Sequence, residues 1–216
     1  LLTEQQPMKM AAAEALFETE KGAGLSIFAT GDFTRDPGHT NRNIKIPKLL
    51  SFISDLDPNS TVKGINQLEE EYTQKYGPGE YVPIVAVTYW SFRAMIGAGV
   101  AIMVLTAIGL VLQRRKRLQV SRRWLKIMIP AVALPPIANA SGWIFTEMGR
   151  QPWVVQGLLR TDDAVSPSVS TAEVAITLAG FTLIYGVLAV IAGRLALKVI
   201  RTGPPPEPTA DDARTA

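Results

Sequence analysis

The sequence predicts an all-α integral membrane bundle of three transmembrane helices in this chain, joined to a polar extracytoplasmic segment. Three observations carry that class. The first is a set of uncharged runs: Ala94–Leu112 and Ile127–Phe145 hold nineteen residues each, and Val174–Gly193 holds twenty. Each is long enough to cross a bilayer as a helix. The second is composition, with 47% hydrophobic and only 19% charged residues over 216 positions, which argues against both disorder and an ordinary cytosolic enzyme. The third is the placement of the basic residues beside the apolar runs, which turns a net charge of +3 away from nucleic acid and towards membrane topology. No cysteine is present, so disulfides, thiolate-held clusters and zinc fingers are excluded. The single histidine, His39, excludes a multi-histidine metal site built from this chain alone.

Taken in order, residues 1–82 are mixed and polar. A helical opening is predicted over Met8–Glu20, and a short amphipathic helix over Ile65–Lys75. Turn signals fall at Gly31-Asp32 and Asp36-Pro37-Gly38. The spans are predicted at about 83–113, 124–148 and 172–200. Between the first two lie Arg114, Arg115, Lys116, Arg117, Arg122, Arg123 and Lys126, a basic cluster that belongs in the cytoplasm. The connection from Gly149 to Thr171 sets Arg150 and Arg160 against Asp162 and Asp163, and Arg194, Lys198 and Arg201 close the third span. Loop 113–126 and the C-terminus are therefore expected to be cytoplasmic, and 1–82 outside. The proline-rich stretch 203–216 is expected to be a disordered tail. The chain opens Leu-Leu-Thr with no methionine, basic n-region or apolar core, so no signal peptide is read there and Leu1 is expected not to be a natural start.

Some residues near the spans need a reason. Arg93 sits at the outer mouth of the first span and Glu147 and Arg150 at the outer end of the second, where an ionised group is costly unless paired or liganded. Trp143, Glu147 and Arg150 stand at i, i+4 and i+7 and would share a helix face. A Glu147–Arg150 ion pair that merely anchors a helix end explains the spacing equally well. Met95 offers a soft thioether suited to haem iron, although methionines are more often packing residues. Pro130, Pro135 and Pro136 interrupt the second span, so its backbone must be satisfied by something other than lipid.

Three ordered motifs resemble the large catalytic subunit of the cytochrome bd quinol oxidases. They are Gln6-Pro7-x-Lys9-x-Ala11-Ala12-x-Glu14, Trp90-Ser91-Phe92-Arg93-x-Met95-x-Gly97, and Gly142-Trp143-x-x-x-Glu147-x-Gly149-Arg150-Gln151-Pro152-Trp153. The resemblance covers residues 5–202 and corresponds to the C-terminal half of that subunit. It implies that 1–82 is the quinol-binding loop, in a short form, with Lys9 and Glu14 serving quinol binding and oxidation. It implies that Met95 is an axial ligand of low-spin haem b, with Arg93 stabilising that haem. Glu147 would be the axial carboxylate at the high-spin pair of haem b and haem d, beside Trp143 and Arg150. Met95 and Arg93, about 200° apart on a helix, cannot point the same way, and Lys9 and Glu14, about 140° apart, can flank one groove without stacking. His39 matches no haem ligand and is read as incidental.

The resemblance further implies a bacterial plasma-membrane enzyme that passes electrons from quinol to dioxygen and builds a proton motive force. Its haem-ligating histidines and six earlier spans lie outside this sequence. The chain is therefore expected to need the N-terminal half of the subunit, a second subunit, possible small accessory subunits and membrane lipid, and not to catalyse alone. Two alternatives stand beside this: a cyanide-insensitive variant of the family carrying haem b in place of haem d, and a non-catalytic transporter or assembly subunit whose proline-broken helix lines a path.

Overall fold

A computed structural model describes residues 2–33, 39–115 and 122–203. It divides into two units, Leu1–Ala164 and Val165–Ala216. The predicted turn at Asp36-Pro37-Gly38, Lys116 and Arg117 of the basic cluster, and residues 204–216 of the expected tail lie outside the described residues.

The first unit opens with α1 (Leu2–Gln5) and α2 (Pro7–Glu14). Pro7 stands in the first turn of α2, where its missing N–H costs nothing. The helix stops at Glu14, not at Glu20 as the sequence suggested. Ala15 turns left-handed at φ 47°, and its N–H caps the carbonyls of Ala11 and Ala12. The Ala11–Ala13 run is thereby buried against neighbours rather than continued into solvent.

The chain then forms strands that the polar composition did not signal. β1 (Glu20–Lys21) pairs antiparallel with β4 (Thr61–Val62), and β2 (Leu25–Asp32) pairs antiparallel with β3 (His39–Ile46). Gly31-Asp32 closes β2 instead of forming the turn itself, and the β2–β3 ladder slips register between Ser26 and Phe28, leaving Ile27 as an extra residue. α3 (Leu49–Asp55) and α4 (Ile65–Tyr76) follow, the latter matching the predicted amphipathic helix. The first free N–H groups of α4 are met by backbone: Ile65 donates to the Leu16 carbonyl at 2.8 Å and Asn66 to that of Phe17 at 3.1 Å. Ile65, Leu68 and Tyr72 of α4 pack with Met8, Ala12, Phe17, Val85, Tyr89 and Trp153 into one core. That core joins the polar segment to the start of the first span.

Three helical stretches are long and apolar enough to cross a membrane: 85–114, 122–148 and 171–202. The first is α5 (Val85–Arg114). The second is two helices, α6 (Arg122–Ala131) and α7 (Leu134–Met148), so the proline-interrupted span is broken rather than bent. Pro135 falls in the first turn of α7, and at the break Ala133 N–H returns to the Pro130 carbonyl at 3.0 Å. The break opens a groove of about 510 Å³ against α5, lined by Thr106, Gly109, Trp124, Val132 and Pro135 among others. α7 runs antiparallel to α5, with Phe92 against Phe145 at 4.7 Å between ring centres and Met95 against Gly142. After α7, β5 (Trp153–Val155) pairs with β6 (Leu159–Arg160).

The second unit carries α8 (Thr171–Thr202). Its start is fixed by a capping box in which Ser170 Oγ accepts from Glu173 N–H while the Glu173 carboxylate accepts from Ser170 N–H at 2.8 Å.

Gly64, just before α4, tests how tightly the polar segment is docked. A Cβ there would overlap the Phe17 carbonyl oxygen and the Glu18 carbonyl carbon, and backbone cannot move aside as a side chain can. Gly64→Ala is expected to destabilise by about 1–3 kcal/mol, seen as a lower thermal midpoint of the purified membrane protein. An unchanged midpoint would contradict the docking.

Candidate functional site

Two charged clusters occupy the loop-side ends of α5 and α7, and α2 feeds a side chain into each. Glu14, the last residue of α2, is 1% exposed in its side chain and meets Arg93 of α5, itself 12% exposed, at 2.9 Å. Its Oε2 also accepts from the Ser26 N–H at 2.8 Å. Its Oε1 is buried with no hydrogen-bond partner among the described residues. Arg93 in turn donates to the Ala13 carbonyl and, at 2.5 Å, to the Ser26 carbonyl, while its guanidinium lies 4.0 Å over the Tyr89 ring. Burial pushes the Glu14 carboxyl above its ordinary range, and the Arg93 charge and the Ser26 N–H pull against that rise. With Oε2 taken by two donors, the proton of neutral Glu14 belongs on Oε1.

Lys9 leaves α2 in another direction. Its amine reaches the Thr146 carbonyl of α7 at 3.4 Å and stands 4.8 Å from the centre of the Phe145 ring. Burial lowers its pKa, the Arg150 charge lowers it further, and Glu147 opposes both. Lys9 and Glu14 thus contact different helices, α7 and α5. What lets α2, α5 and α7 converge is Gly149, where a Cβ would press on Lys9 Cγ at 3.0 Å and Thr88 Cγ2 at 3.1 Å.

At the end of α7, Glu147 and Arg150 form an ion pair, the arrangement allowed by the plainer of the two sequence interpretations. Both stay partly exposed, and Arg150 Nε is buried without a partner among the described residues. Trp143, one turn before Glu147, is 63% exposed. Met95 is half-buried, and its Sδ would lie 3.0 Å from a Cβ on Gly142, so glycine at 142 makes room for the thioether. Arg93 and Met95 depart in different directions, as their spacing requires. His39 opens β3 opposite Asp32, away from either cluster in the sequence.

The donor chemistry fits a haem: α5 offers the soft thioether of Met95 and α7 the carboxylate of Glu147, donor types that haem iron would accept. The partly exposed faces of Met95, Trp143 and Glu147 leave them accessible to such a group.

Sequence reasoning missed Ser26, Tyr89 and the carbonyl of Ala13. Tyr89 stands four residues before Arg93 and so shares its helix face, a signal that was available. Ser26 carried none, because its role depends on a strand that the sequence did not announce.

Residues 1–204 match the family model described as cytochrome bd terminal oxidase subunit I. The chain belongs to that family. It is 43% identical to cytochrome bd ubiquinol oxidase subunit 1 of Bacillus subtilis (strain 168), over 94% of this chain and 43% of that protein. It is 34% identical to the putative cytochrome bd menaquinol oxidase subunit I of the same organism, over 100% of this chain and 45% of that one. Among solved structures it resembles the bd oxidase from Geobacillus thermodenitrificans with a TM-score of 0.73 and 29% identity, over 94% of this chain and 44% of that chain. The chain thus spans less than half the length of the curated relatives it matches. As a member of the cytochrome bd subunit I family it is an integral membrane helical protein, in agreement with the predicted fold class.

The Glu14 environment makes a pH prediction. A carboxyl whose folded pKa is raised adds stability below its unfolded pKa, and that contribution is lost as pH rises through the folded value, because charge must then be buried. As pH rises above the ordinary carboxyl range, the thermal midpoint of the purified complex is expected to fall by an increment that Glu14→Gln removes. An identical pH dependence in the parent and the variant would contradict the burial of this carboxyl.

Proposed function

We propose that this chain is the C-terminal part of the haem-bearing subunit of a bacterial terminal quinol oxidase, coupling quinol oxidation to reduction of dioxygen. The single observation that carries this is the Glu14–Arg93 pair: a buried carboxylate at the end of α2, with one oxygen pinned and the other free, held by an arginine of the span that bears Met95. Two quinols and one dioxygen give two quinones and two waters. Each quinol surrenders two protons with its two electrons, so the site needs a proton acceptor whose charge is managed. Glu14 accepts at Oε1, and Arg93 stabilises its carboxylate form. Lys9, on the same helix, supplies a donor directed towards the α7 end.

In this proposal residues 1–82 are the extracytoplasmic quinol-binding loop, 83–202 the spans, and 203–216 a cytoplasmic tail. The basic residues between the first two spans face the cytoplasm. Met95 offers its thioether to a low-spin haem b. Glu147 offers its carboxylate to the high-spin centre, haem b and haem d, with Arg150 fixing that carboxylate and Trp143 flanking it. When bound, the haems carry the electrons and hold the dioxygen. The histidine ligands and the remaining walls come from the N-terminal half of the subunit and from subunit II, with any small accessory subunits and lipid around them.

Three experiments on the whole oxidase carrying this chain test the proposal. Glu147→Ala is expected to diminish the high-spin haem absorbance of the dithionite-reduced complex and to abolish oxygen uptake; full haem content and activity would refute its assignment. In the parent, a long-wavelength haem d band is expected, haem b bands alone would replace haem d by haem b, and no haem at all would defeat the oxidase reading. Glu14→Gln is expected to lower quinol turnover by about 100-fold or more with haem spectra unchanged; parent-like turnover would remove Glu14 from the quinol site.

A further inference from the structure

Ser26 meets both members of the Glu14–Arg93 pair through its backbone, its N–H donating to Glu14 and its carbonyl accepting from Arg93. Its side chain is held separately. The Ser26 hydroxyl has one hydrogen, and Asn43 Oδ1, at 2.8 Å, can only accept it. The Tyr89 hydroxyl, 2.9 Å from Ser26 Oγ, must therefore be the donor to Ser26. Tyr89 is fully buried, its ring underlies the Arg93 guanidinium at 4.0 Å, and Phe33 stacks on it at 5.3 Å. One tyrosine thus touches the guanidinium with its ring and the strand that contacts the carboxylate with its hydroxyl.

We propose that Tyr89 and Ser26 are positioning residues of the quinol site, their mutual hydrogen bond holding the β2 backbone on both members of the Glu14–Arg93 pair so that Oε2 stays occupied and Oε1 alone is left for the quinol proton. This rests on the assignment of Glu14 to the quinol site. The register slip falls directly beside Ser26, where the extra residue disrupts the ladder, so the side-chain bonds of Ser26 add to the hold on the strand there. Loosening Ser26 withdraws a donor from Glu14 Oε2 and lets Arg93 drift. The carboxylate form is then less well stabilised and needs higher pH to exist. The charged groups that face Glu14 are Arg93 from α5 and, at longer range, Lys45 from β3. Neither contacts the Tyr89 hydroxyl in the hydrogen bonds described.

The test uses the full oxidase with quinol as substrate and the variants Tyr89→Phe, Ser26→Ala and both together. Each single variant is expected to lower kcat/KM about 3- to 10-fold and to move the acid limb of its pH profile to higher pH by about 0.5 to 1. The double variant is expected to be no worse than Ser26→Ala, which already removes both the bond from Tyr89 and the bond to Asn43. A parent-like pH profile in Tyr89→Phe, or additive losses in the double variant, overturns the proposal. So does loss of haem absorbance in both single variants, which would make the pair a folding element. Glu14→Gln run in parallel separates the two levels: parent-like turnover there defeats the quinol site itself, whereas an inactive Glu14→Gln beside an unaffected Tyr89→Phe defeats only the positioning role.

Discussion

The buried Glu14–Arg93 pair is the constraint on which the arrangement of the loop-side end depends. Taking a carboxylate and a guanidinium out of water costs several kcal/mol per ion before their attraction is counted. The cost is tolerable only where further hydrogen bonds complete both groups. Arg93 has them from the Ala13 and Ser26 carbonyls, and the Tyr89 ring adds a cation–π contact. Glu14 has them on one oxygen only. To supply those partners α2 must end at Glu14, β2 must pass beside it, and α5 must rise beneath both. Removing Arg93 alone would leave a buried charge, which is why the pair acts as one unit and not as two residues.

The same requirement explains what was and was not legible in the sequence. The spans could be read because their signal is local: twenty uncharged residues in a row mean the same thing in any context. The helix over Ile65–Tyr76 was legible for a like reason, its apolar residues recurring at helical spacing. The stop of α2 was not. Ala15 adopts a left-handed conformation with no glycine or proline to announce it, since the chain turns there to deliver Glu14 and to dock Leu16 and Phe17 on α4. The β2–β3 hairpin was hidden for a related reason. Its strands mix Ser26, Thr30, Arg42, Asn43 and Lys45 with apolar residues, and a register slip spoils the alternation that marks a half-buried strand.

For the candidate residues, periodicity carried further than expected. The angular separations of Lys9 from Glu14 and of Arg93 from Met95 are fixed by helix geometry, and they resolve into contacts with separate helices or faces. The Glu147–Arg150 pair shows the limit of spacing arguments. An ion pair is present, and it is compatible both with a simple anchor and with a carboxylate held ready for a metal, because Arg150 occupies Glu147 in either case.

Glycine settles a different part of the arrangement. In the motif around Glu147, Gly142 and Gly149 serve space rather than backbone freedom, since neither has a positive φ. Gly142 admits the Met95 thioether and Gly149 admits Lys9 and Thr88, so each brings a side chain from another element against α7. A side chain at 149 would press on Lys9 Cγ and oppose the approach of α2 to α7 that brings Lys9 to the Thr146 carbonyl. The two charged clusters are thus linked through the short helix α2, whose position is set from one side by a buried ion pair and from the other by a missing Cβ. Movement of α2 towards or away from either helix would be felt at both, which makes this helix the physical connection between the proposed quinol carboxylate and the end of the span that carries Glu147.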